Sequence, residues 1–187
     1  SNLTSLKRIV RRRCSPARPP LQALPPGPFD PYDMAVYQRE AALFVEWYCP
    51  AAGLSVDEAG WRAAWDETLA PLIERQQPGV TVLRDYHAEN VMLIEPGKVN
   101  GAQGLIDFQD TVYGPVAYDV ASLLLDARTD MDEALETALY DAYLSARKMQ
   151  SAEFDEVGFS KAYAVMAAQR ISKILGIFVR LAERDGK

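Results

Sequence analysis

The stretch Val80-Thr81-Val82-Leu83-Arg84-Asp85-Tyr86-His87-Ala88-Glu89-Asn90-Val91-Met92-Leu93-Ile94 decides how this chain is read. Residues 80–83 form a short β-branched run, which predicts a strand. A polar loop follows, with Asp85 near its start and Asn90 five positions on. Residues 91–94 are a second short apolar run, and Glu95-Pro96-Gly97-Lys98-Val99-Asn100-Gly101 is dense in turn residues. A third run, Gly104-Leu105-Ile106, ends on Asp107-Phe108, with Asp107 17 residues after Asn90. The expectation is a small hairpin-like sheet carrying the loop of residues 85–90 at one end and Asp107 at the other.

Taken singly, Asp85, Asn90 and Asp107 read as turn residues or a strand-end acid. Together, in this order and setting, they match what phosphoryl transfer requires. One Asp sits beside the acceptor hydroxyl, and an Asn and a second Asp offer oxygens to a Mg²⁺ that bridges nucleotide phosphates. Asp85 is thus the candidate catalytic base, and Asn90 and Asp107 are the candidate metal and cofactor ligands, with Mg²⁺ and ATP implied. His87 is the only histidine. It is a second candidate catalytic residue, either near the transferred phosphate or packed and hydrogen-bonded within the loop. A histidine-rich metal site is excluded by count, and a Ser–His–Asp hydrolase lacks its Gly-x-Ser-x-Gly elbow. Asp119 either reaches back to brace the catalytic loop or is an acid in the first turn of a helix. Asp110 and Arg170 are candidate substrate contacts, set against membership of surface ion pairs.

The chain has 187 residues, 49% of them apolar, enough for one good core and a small appendage. Six of its 20 basic groups and none of its 26 acidic groups lie in residues 1–29, so the remainder carries a net charge of −12. Such an acidic body is a poor nucleic-acid partner, because neutralising phosphate drives that affinity. Cys14 and Cys49 offer neither a disulfide framework nor metal spacing, which points to a reduced cytoplasm. No unbroken apolar run approaches the ~20 residues of a membrane span, and the N-terminus lacks the apolar segment of a signal peptide.

Residues 1–14 read as a short basic helix, and residues 15–31 hold seven prolines, an extended tether. Residues 1–31 are therefore a basic, Pro-rich connecting segment and 32–187 the catalytic lobe. From Tyr32 to Gln77 the pattern is helical, broken at Pro50 and Gly53. A second helix is expected near Ser55, with Glu58 completing a capping box. The Trp61 and Trp65 stripe reads as core packing. After Gly114-Pro115, helices are expected over 117–128, 131–148 and 153–184. The fold class is α+β, mainly α.

These residues carry a resemblance. Asp85-Tyr86-His87-x-x-Asn90, Ile106-Asp107-Phe108 and Tyr118-Asp119-Val120-Ala121 resemble the aminoglycoside phosphotransferase and choline kinase superfamily. The longer string from Asp107 to Asp119, the Phe44-Val45-Glu46-Trp47-Tyr48 segment, residues 170–180 and Arg184-Asp185-Gly186-Lys187 are similar to its bacterial branch of anomeric N-acetylmuramate and N-acetylglucosamine kinases. The resemblance implies a protein-kinase-like C-terminal lobe that uses ATP and Mg²⁺ on a sugar hydroxyl, with Asp85 as base and Asn90 and Asp107 as metal ligands. It departs from the family at Leu83, where a His is usual. No Gly-rich loop and no nucleotide-binding Lys precede Asp85, so the expected partner is an N-terminal lobe of the same parent chain, alongside nucleotide and sugar. Three other readings stand: a non-catalytic pseudo-kinase binding module, an aminoglycoside kinase, and a choline or ethanolamine kinase, for which an aromatic cage is expected.

Overall fold

A computed structural model describes residues 29–75, 79–93 and 103–186. The expected basic helix, most of the proline tether and the turn of residues 95–101 lie outside the described residues.

Helix α1 spans Met34–Leu43, and the Asp33 carboxylate caps it by accepting from the Val36 N–H at 2.9 Å. The helix continues through a π-helical turn, Phe44–Tyr48, into a last turn, Cys49–Ala51. Gly53, left-handed at φ 68°, ends it. Helix α2 spans Glu58–Arg75 and accommodates Pro71 in its interior. Its expected Ser55–Glu58 capping box does not form. Asp57, the residue directly before the helix, caps it instead, accepting from the Gly60 N–H at 3.0 Å; Ser55 lies two positions too early. Phe44 stacks between Tyr48 and Trp61, each at 5.0 Å, and Trp61 meets Trp65 edge-on, so the aromatic stripe is core packing, as expected.

Four three-residue strands follow: β1 Val80–Val82, β2 Val91–Leu93, β3 Gln103–Leu105 and β4 Val112–Gly114. They form two separate antiparallel pairs rather than the one expected sheet. β1 pairs with β4, placing Val80 opposite Gly114, and β2 pairs with β3, placing Val91 opposite Leu105. β4 escapes a pattern reading because it is three residues long and runs straight into Gly114-Pro115. It is held from outside, where the Tyr32 N–H donates to the Tyr113 carbonyl at 2.8 Å and the Tyr113 N–H donates to that of Asp30 at 2.9 Å. A Cβ on Gly114 would come within 2.9 Å of the Tyr32 Cβ, so the glycine permits this approach.

Helices α3 (Ala117–Leu124), α4 (Glu133–Gln150) and α5 (Glu156–Asp185) complete the fold. Asp132 caps α4 and Asp155 caps α5. α3 is buried along its whole length and ends at Leu124 rather than at residue 128. The Asp126 carboxylate takes the Arg128 N–H at 3.1 Å and the Thr129 hydroxyl at 2.9 Å, which turns the chain before the helix can continue. α5 packs across α1 and α3 and is the axis of the core, which gathers Tyr37, Leu69, Val82, Tyr118 and Met166. Over Glu156–Arg184 it is long and apolar enough, by length and composition, to cross a membrane, which a search for unbroken apolar runs does not reveal. Its Gln169, Arg170 and Lys173 are buried against other elements of this fold, the arrangement of a core helix. The architecture is mainly α with short antiparallel strands, in agreement with the α+β expectation.

Candidate active site

The loop between β1 and β2 is short, and almost every residue in it is tied down. Leu83 is buried in the core and Arg84 follows with φ 64°, a left-handed conformation that a side chain disfavours. Asp119, 1% exposed at the start of α3, accepts the Leu83 N–H on both carboxylate oxygens at 3.1 Å and the Arg84 N–H at 3.2 Å. The Arg84 carbonyl accepts from the Ser122 hydroxyl at 3.1 Å and from the Arg170 guanidinium at 3.3 Å. The peptide groups on either side of Arg84 are thus held by α3 and α5, directly before Asp85.

Asp85 turns the chain again, its carbonyl accepting from the His87 N–H at 3.1 Å. That carbonyl also accepts the Asn90 side-chain amide at 2.9 Å. Asn90 closes a 3₁₀ turn, Ala88–Asn90, and is buried. Its Nδ2 reaches the His87 Nε2 at 3.1 Å and the Asp107 carboxylate at 3.4 Å. The Ile106 N–H donates to the Asn90 carbonyl at 3.1 Å, which fixes the approach of Asp107. Asp107 is itself left-handed, at φ 58°, exposed, and accepts from the Gln109 amide at 2.6 Å. Asp85, Asn90, His87 and Asp107, chosen from the sequence, therefore come together in one site.

The Asp107 carboxylate and the Asn90 amide oxygen are hard donors of the kind that hold Mg²⁺. With Nδ2 of Asn90 committed to the Asp85 carbonyl, Oδ1 takes none of the described hydrogen bonds and is available as a ligand. No group of three or more metal-ligating His, Cys, Asp or Glu side chains occurs among the described residues. Mg²⁺ commonly needs only one or two protein carboxylates because substrate phosphates and water complete its shell, so the donor set fits.

His87 is buried, and its Nδ1 has no hydrogen-bond partner among the described residues. Burial holds its pKa below the ordinary 6.5, aided by Arg128 and opposed by Asp126 and Asp85, so the ring is neutral at neutral pH. Of the two candidate substrate residues, Arg170 is 3% exposed, with its guanidinium over the Tyr118 ring and on the Arg84 carbonyl. Asp110 is exposed, and its carbonyl accepts from Arg84 at 3.5 Å.

Sequence reasoning did not single out Glu40, Arg84, Tyr32 or Ser122. Glu40 lies on the core face of α1, beside Tyr37 and Ala41. It ion-pairs with Arg84, pairs with Lys173 at 3.0 Å, and accepts from the Tyr32 hydroxyl and, at 3.3 Å, the Gln169 amide. Burial opposes its charge, but Lys173 and Arg84 outweigh burial and hold its pKa below the ordinary 4.5. The available signal was a charged residue inside an apolar helical stripe, which must find a partner or pay for its desolvation.

Residues 7–157 match the phosphotransferase enzyme family. The chain belongs to that family. It is 37% identical over 158 residues to an N-acetylmuramate/N-acetylglucosamine kinase of Caulobacter vibrioides, a match covering 83% of this chain and 42% of that protein. It is 39% identical over 168 residues to a protein of the same name from Pseudomonas putida, covering 86% of this chain and 47% of the relative. A solved glucosamine kinase overlaps 95% of this chain and 46% of its own, at 16% identity and a TM-score of 0.49. The chain spans about half the length of the curated relatives it matches.

Proposed function

We propose that this chain is the catalytic lobe of a phosphotransferase that moves the γ-phosphate of ATP to a hydroxyl of an amino sugar. The observation that carries this reading is the Asn90 amide, which donates to the Asp85 carbonyl and lies 3.4 Å from the Asp107 carboxylate, joining the three residues in one site. Phosphoryl transfer asks the protein mainly for positioning and electrostatics, and the rigid loop suits that demand. Asp85 orients the acceptor hydroxyl and takes its proton. Asn90 and Asp107 hold Mg²⁺, which when bound would neutralise charge on the nucleotide phosphates. The neutral imidazole of His87 accepts from the Asn90 amide and so helps to orient that side chain. The names of the relatives favour N-acetylmuramate or N-acetylglucosamine as acceptor. The rest of the phosphate-binding apparatus belongs, in this reading, to an N-terminal lobe of a longer parent chain.

The test is phosphorus NMR of Mg²⁺–ATP with N-acetylated amino sugars, aminoglycosides and choline, run on this chain and on the protein at its relatives' length. A new sugar-phosphate resonance supports the reading. Product with choline or an aminoglycoside alone moves the acceptor class. No product with any acceptor at full length favours the second reading, a non-catalytic binding module, toward which Leu83 in place of the usual His points.

A further inference from the structure

We infer that Glu40 is a positioning residue that acts through Arg84, holding its backbone left-handed so that Asp85 is presented to the acceptor. The inference rests on the phosphotransferase reading for its purpose, but its geometry stands apart from it. A non-glycine residue at φ 64° persists only where its surroundings over-determine it. The backbone partners of Arg84 come from Asp119, Ser122 and Arg170. Its side chain is anchored on the other side by the Glu40 carboxylate, by the Tyr32 ring at 5.7 Å and by the Asp110 carbonyl. Glu40 is the charged member of that anchor, and is itself seated by Lys173, Tyr32 and Gln169. One carboxylate therefore links α1, α5 and the catalytic loop. A side chain that only stabilised the fold would not need to grip the one strained residue next to the candidate base.

Glycine adopts the left-handed conformation without penalty, so a clamp on residue 84 becomes unnecessary when Arg84 is replaced by glycine. The experiment compares the wild type, Glu40→Gln, Arg84→Gly and the double variant by amide hydrogen exchange and thermal unfolding. Glu40→Gln is expected to speed exchange at the Leu83 and Arg84 amides by about tenfold, the weight of a left-handed penalty of this size, while α4 amides change far less. Adding Arg84→Gly is expected to return the loop amides toward wild-type protection. Where turnover is measurable, kcat follows the same order and KM for the acceptor does not move. Uniform acceleration across the chain, or no rescue by Arg84→Gly, overturns the inference. If Glu40→Gln does not fold, Arg84→Gly alone decides: loop amides as protected as in the wild type support the clamp, and an opened loop contradicts it. Wild type without phosphotransfer but with this exchange pattern would defeat the functional reading and leave the clamp intact.

Discussion

At the scale of residues, the site is a set of backbone groups held by buried side chains. Asp119 illustrates the economy: one carboxylate satisfies two N–H groups of the loop before the candidate base. Replacing it with alanine leaves buried donors unpaired, each at a cost of roughly 1–3 kcal/mol. Asp119→Ala is therefore expected to lower the unfolding midpoint and to expose the Leu83 and Arg84 amides to exchange; unchanged midpoint and exchange would show that the loop is held by other means. Asp85, Asn90 and Asp107 could be picked out of the sequence by residue type and spacing, and the fold brings them together. Asp119 was legible only as one of two alternatives, since its carboxylate must cross 36 residues of chain to reach Leu83. Glu40 and Arg84 were not legible, because an ion pair between residues 44 apart leaves no local pattern.

At the scale of elements, helices were easier to read than strands. α4 and α5 show long apolar periodicity and begin at Asp132 and Asp155, each a good cap. The strands have three residues each, and their pairing depends on partners distant in sequence, such as Val80 with Gly114. The crossing of α1 and α5 depends on Gly176, where a Cβ would fall 2.2 Å from the Leu43 carbonyl oxygen. Gly176→Ala must push the helices apart. Overpacking of this kind typically costs about 1–3 kcal/mol, which chemical denaturation will register as a lower midpoint. An unchanged midpoint would mean that α1 and α5 are not packed this closely. Because Glu40 and Lys173 face each other across the same crossing, the variant is also expected to loosen the loop.

At the scale of the whole molecule, a buried charge centre ties helices to the loop, and stability should therefore depend on pH. The folded protein holds the Glu40 pKa below its ordinary 4.5. The stabilisation is complete above about 4.5 and is lost as pH falls through the lower, folded value. Acid unfolding of the wild type is thus expected to include a component that Glu40→Gln lacks, read as a shallower dependence of the unfolding midpoint on pH below 4.5 in the variant. Parallel curves would mean that folding does not lower the Glu40 pKa. The chain also spans about half the length of its curated relatives.

The most direct test of the central claim is single-turnover transfer of the γ-phosphate to N-acetylglucosamine, comparing wild type and Asp85→Ala at the length of the relatives. Asp85→Ala is expected to lower the transfer rate by about 10²–10⁴-fold, the usual contribution of a positioned base, with little change in acceptor affinity. A rate for Asp85→Ala close to that of the wild type would contradict it.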